Sequence, residues 1–195
     1  MRRTLAAATL AIALAHGGPS AAGLPADCSN AKPPAKPVEV SILGTTYAPK
    51  SVKLVKAGTI KSGDVVIDTY RLTLRSEDSI MAPLGMDVTV AVPKGKALDG
   101  KVFRRVPSDE ISKQPAVSAG MPEVQGWSYE DRKAGVRGSH VKYVASLRLE
   151  FGKAQGKTLP GTLYLCVPKG QKSSFDKTPT TADSYAIGGF SATLP

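Results

Sequence analysis

Residues 140–152 read "HVKYVASLRLEFG", and this stretch decides the fold class. Tyr143, Ala145, Leu147, Leu149 and Phe151 fall on one side of a period-two alternation; Lys142, Ser146, Arg148 and Glu150 fall on the other. Successive side chains of a strand point to opposite faces, so the run reads as one long strand with one buried and one solvated face.

The same signature recurs in both directions along the chain. In "VEVSIL" (38–43), Val38, Val40 and Ile42 alternate with Glu39 and Ser41. "SVKLVKAG" (51–58) leads through the connector "TIKSGD" into "VVIDTYRLTLR" (65–75), where Tyr70, Leu72 and Leu74 share a face. "MDVTVAVPKG" (86–95) sets Val88, Val90 and Val92 inward, and "KVFRRV" (101–106) is a shorter strand. "EVQGWSY" (123–129) follows, with Gly126 as a bulge position. A polar turn, "EDRKAGVRGS" (130–139), precedes the opening stretch. "TLYLCV" (162–167) and "SYAIGGFSATL" (184–194) complete eight or nine strands.

Gly, Pro, Asn, Asp and Ser punctuate these runs, and beyond the N-terminal segment no window carries a sustained helical stripe. "PSDEISKQP" (107–115) has room for one helical turn between prolines. The expectation is an all-β chain: a two-sheet antiparallel β-sandwich of immunoglobulin-like form, with a small closed β-barrel as the alternative. Two long connections, 107–122 and 168–183, are the places where loops would carry function.

The first residues, "MRRTLAAATLAIALAHGGPSAAG", read as a secretory signal peptide. Arg2 and Arg3 precede an apolar run from Thr4 to Ala15, and Ser20, Ala21 and Ala22 supply the small residues before cleavage. The run is too short to span a bilayer, which takes ~20 residues. The expected organisation is a signal peptide over 1–22, a Pro-rich tail over 23–37 and a single sandwich domain over 38–195. The expected location is periplasmic or secreted, with no transmembrane span. Removal of the leader leaves about 173 residues, enough for one core.

The formal charge is +10. A basic exported domain is drawn to anionic surfaces, so the partners expected are an anionic envelope polymer, a glycan or another envelope protein. The densest basic stretch, "PKGKALDGKVFRR", holds Lys94, Lys96, Lys101, Arg104 and Arg105 against Asp99. It lacks the interleaved aromatics of a single-strand nucleic-acid platform, and no specific nucleic acid is expected.

Two cysteines, Cys28 and Cys166, remain after the leader. In an oxidising compartment an even pair reads as a disulfide. In "TLYLCV", Leu163, Leu165 and Val167 form one face, so Cys166 sits on the other, where a tail carrying Cys28 can reach it.

Catalytic constellations are missing from the sequence. Of the two histidines, His16 lies in the leader, leaving His140. One imidazole excludes multi-histidine metal centres, and His140 adjoins Ser139 on a strand, which is poor triad geometry. No metal and no cofactor is expected. Carboxylate pairs occur at Glu77–Asp78, Asp109–Glu110 and Glu130–Asp131, all in turn-like segments. The functional expectation is a non-catalytic binding or structural module. One alternative is a glycan-active enzyme using loop carboxylates. The other is a carbohydrate-binding module using Trp127 and Tyr129, although a core tryptophan is the expected role for Trp127.

Overall fold

A computed structural model describes residues 36–42, 44–62, 64–105, 122–130, 137–143, 145–170 and 182–194, with no side-chain description at 62, 127–130 and 137–143. The signal segment, most of the Pro-rich tail, Cys28 and the central parts of both long connections lie outside the described residues. The described chain has eleven strands and no helix. They are β1 (Glu39–Ile42), β2 (Thr45–Tyr47), β3 (Ser51–Ser62), β4 (Val65–Arg75), β5 (Leu84–Pro93), β6 (Val102–Arg105), β7 (Glu123–Glu130), β8 (Arg137–Tyr143), β9 (Ser146–Phe151), β10 (Thr158–Val167) and β11 (Ser184–Thr193).

Hydrogen bonding connects them in the order β6-β9-β10-β11-β3-β4-β5-β7-β8, with β1 on β11 and β2 on β1. The β11–β3 link is one parallel pair, Thr193 with Lys53. It divides the path into a first sheet, β6-β9-β10-β11-β1-β2, and a second, β3-β4-β5-β7-β8. Their apolar faces share one core: Val40, Leu147, Leu149 and Leu165 from the first, and Leu72, Met86, Val88 and Val124 from the second, none more than 1 % exposed. The path stays open at its ends, so the closed-barrel alternative does not hold. The chain is an open all-β structure of the sandwich kind.

The deciding stretch is two strands rather than one. β8 belongs to the second sheet and β9 to the first, with the break at residues 144–145. Strands that change sheet in this way make the corners of sandwiches. Ala145 (0 %), Leu147 and Leu149 lie on the core side, as the alternation implied. The expected polar turn at 130–139 is shorter too, since Glu130 ends β7 and Arg137 begins β8.

β3 also differs from expectation. Thr59 to Ser62 continue the strand instead of forming a connector, and the register slips between Lys56 and Gly58. Ala57 is the extra residue of a β-bulge. Three positions apart on a regular strand, Lys56 and Thr59 would face opposite ways. The bulge puts both on Asp68: the ammonium of Lys56 is 2.8 Å from Oδ1, and the Thr59 hydroxyl donates to the same oxygen at 2.6 Å. The bulge expected at Gly126 is absent, because β7 pairs with β5 and β8 without a slip.

The segment leading into β1 is fixed onto β11. Val38 N–H donates to the Gly189 carbonyl (2.8 Å), and Gly189 N–H donates to Lys36 (2.6 Å). Gly188 between them has φ +134°, and a Cβ there would lie 2.6 Å from the Pro37 carbonyl oxygen. Only glycine has both the backbone freedom and the absence of bulk this crossing requires.

Candidate ligand-binding face

Antiparallel partners share a sheet face, so register alone assembles the outer side of the second sheet. One row runs Lys53, Thr73, Asp87, Gln125, Lys142. The row on one side is Val55, Arg71, Thr89, Glu123, and on the other Ser51, Arg75, Gly85, Trp127, His140. Gly85 supplies no side chain between Arg75 and Trp127. Tyr129 stands opposite Gly138, one row further out. Trp127 and Tyr129 are placed here by backbone position, their side chains lying outside the description.

Asp87 is the central charge. Its side chain is 15 % exposed, and Arg71 Nε stands 3.7 Å from Oδ2. Oδ1 is buried and accepts no hydrogen bond from the described residues. Burial pushes the carboxyl above its ordinary range, against the opposing pull of Thr73, Arg71 and Arg75. Arg71 is half-exposed, and water screens its attraction. Arg75 donates through Nη1 to the Ser79 carbonyl (3.0 Å), which fixes the β4–β5 turn beside this face. That turn displays Ile80, 82 % exposed, and Met81, 60 % exposed.

The basic residues divide. Lys94, Lys96, Lys101 and Arg104 are exposed. Arg105 is not part of a surface patch: it is 7 % exposed and donates to the Pro122 carbonyl at 2.9 Å. β6 alternates, so Arg105 shares the inward side with Phe103, and burial lowers its pKa from the usual guanidinium value.

Cys166 keeps the strand phase expected of it, opposite Leu165 and Val167. It is nevertheless buried, 4 % exposed, in a small second cluster with Tyr164 and Ile187. No described cysteine is free. Asp78, from one of the turn carboxylate pairs, is paired with Lys53 at 2.8 Å; Asp109, Glu110 and Asp131 lie outside the described residues. Among the described residues no three metal-ligating side chains gather.

The rows were not visible in the sequence because they depend on register between distant strands. The strand phase of β7 was available: Val124 and Gly126 take the core side, and Trp127 follows in the opposite phase. No protein-family model, curated protein or solved structure matches the chain.

Proposed function

We propose that the protein is an exported, non-catalytic binding module that takes a glycan on the outer face of its second sheet. The observation that carries this reading is the phase of β7. Val124 is a core residue, so positions 125, 127 and 129 alternate to the side of Asp87. By backbone position Trp127 lies in the row beside the hydrogen-bonding groups Thr73, Asp87 and Gln125, and Tyr129 in the row beyond it on the same side. Aromatic faces for the apolar side of a sugar, with a few polar groups to fix its orientation, are what such a ligand requires. The leader sequence supports export, and the lack of a nucleophile–base pair in the sequence supports binding without turnover.

In the same reading Cys28 and Cys166 form a disulfide that holds the Pro-rich tail over the outer face of the first sheet. The even cysteine count and the burial of Cys166 with Tyr164 and Ile187 on that outer face support it.

The test is a panel of neutral and acidic polysaccharides against residues 23–195. Retention of at least one glycan, lost in Trp127→Ala with an unchanged far-ultraviolet circular dichroism spectrum, is expected. A protein that retains none of them, or a Trp127→Ala variant that binds as the parent does, would overturn the reading.

A further inference from the structure

The fold brings three turns together at one end of the sandwich: the β3–β4 turn, the β5–β6 connection over 94–101 and the β9–β10 connection over 152–157. Backbone hydrogen bonds tie them into one surface. Lys94 N–H donates to Val66 (2.9 Å), Gly100 N–H to Gly152 (3.1 Å), and Phe151 N–H to Lys101 (2.9 Å). The Ala154 N–H donates to Asp99 Oδ2 at 3.1 Å.

This end carries six exposed lysines: Lys61, Lys94, Lys96, Lys101, Lys153 and Lys157. Asp64 and Asp99 are the exposed acids on the same turns. Asp68, also at this end, is already neutralised by Lys56. The cations are all lysines, compact charges that suit a diffuse anionic layer better than a bidentate site.

Charge is not the only feature. Val65 (54 % exposed), Val66 (37 %) and Val102 (50 %) open to solvent at this same end. Val66 is the register partner of Lys61 and accepts the Lys94 N–H, while Val102 adjoins Lys101. Exposed valines set among lysines gain nothing from a soluble polyanion, but they do gain from the boundary between headgroups and acyl chains.

We propose that this end docks on an anionic lipid surface, with the lysines over the headgroups and Val65, Val66 and Val102 entering the interface. Attraction of this kind grows with each cation near the surface and fades with salt. The row that holds Trp127 begins with the pair Ser51–Arg75, at the far end of β3 and β4 from Val65 and Val66, so the proposal stands apart from glycan binding.

The experiment is co-sedimentation of residues 23–195 with phosphatidylcholine vesicles, with and without phosphatidylglycerol. Binding is expected to the anionic vesicles, and to be lost at high salt. Lys94→Glu combined with Lys96→Glu should weaken it by at least about tenfold. Val65→Ser combined with Val66→Ser should weaken it several-fold. All four side chains are exposed, so both double variants should melt as the parent does. Equal binding to vesicles without phosphatidylglycerol would overturn the proposal, as would vesicle binding indifferent to either pair. Retention on sulfated dextran with no vesicle binding would assign the surface to a soluble polyanion and also overturn it.

Discussion

The carboxylate of Asp68 accepts a hydrogen bond from the backbone N–H of Gly95 at 3.1 Å, pinning the β5–β6 turn to β4. With Lys56, Thr59 and Gly95 all donating, its pKa falls to about 2. A lowered carboxylate pKa stabilises the fold above the unfolded value, near 4, and that contribution is lost as pH falls through the folded one. A melting series from pH 5 down to about pH 2 should therefore show a decline that Asp68→Asn flattens. The variant should melt lower than the parent at neutral pH. Parallel curves for the two proteins would remove Asp68 from the acid response.

Asp87 should behave in the opposite sense. Its raised pKa means the carboxylate is less comfortable ionised in the folded chain than in the unfolded one. The contribution is favourable at acid pH and is lost as pH rises through the folded value. Asp87→Asn should raise the melting temperature at neutral pH, with the gap closing as the pH drops below about 4. A variant that melts below the parent at pH 7 would show that the Arg71 pair outweighs burial.

Gly188→Ala places a methyl group against the backbone of Lys36, Pro37 and Val38 at φ +134°. Strain and overpacking together should cost about 2 kcal/mol or more. Chemical denaturation would report the loss, and amide exchange should show the segment from Lys36 to Ile42 opening first. A change near zero would mean the segment leading into β1 does not cross β11 at this point.

Neighbouring arginines should separate cleanly. Arg105→Ala leaves the buried Pro122 carbonyl without its donor and should cost about 2 kcal/mol. Arg104→Ala, at an exposed position, should stay within about 0.5 kcal/mol. Denaturant midpoints of the two variants make the comparison directly.

Under the proposed Cys28–Cys166 pairing, non-reducing peptide mapping should recover the two residues in one fragment. Reduction should then lower stability by at most about 5 kcal/mol, the limit for a long closed loop. A free thiol at Cys166 would contradict the pairing.

The legible part of this fold is the part written in alternation. Val88, Val90 and Val92, or Leu163, Leu165 and Val167, announce a strand and its buried face without outside help. The change of sheet between β8 and β9 was hidden because Ala145 continues the phase of Leu147, and such a change alters neighbours rather than alternation. β3 looked shorter than it is because Ala57 breaks the period, which a bulge and a turn do equally in one dimension. Arg105 could have been placed from its phase with Phe103, but its charge argued for the surface more loudly than the alternation argued against it. The lysine-rich end and the rows around Asp87 needed pairings across the chain that no local pattern encodes.

The first strand finds its partner in the last. Glu39, Val40 and Ser41 pair with Ile187, Ala186 and Tyr185, and β10 lies along the other side of the same strand. A polypeptide made from the N-terminal side delivers β1 well before β11. The hairpins β3-β4-β5 can zip as they emerge, whereas β1 and β10 must wait with open edges until β11 arrives. The domain therefore closes on β11. A chain cut short before Ser184 would have two strand edges without their shared partner, an invitation to pair with other molecules.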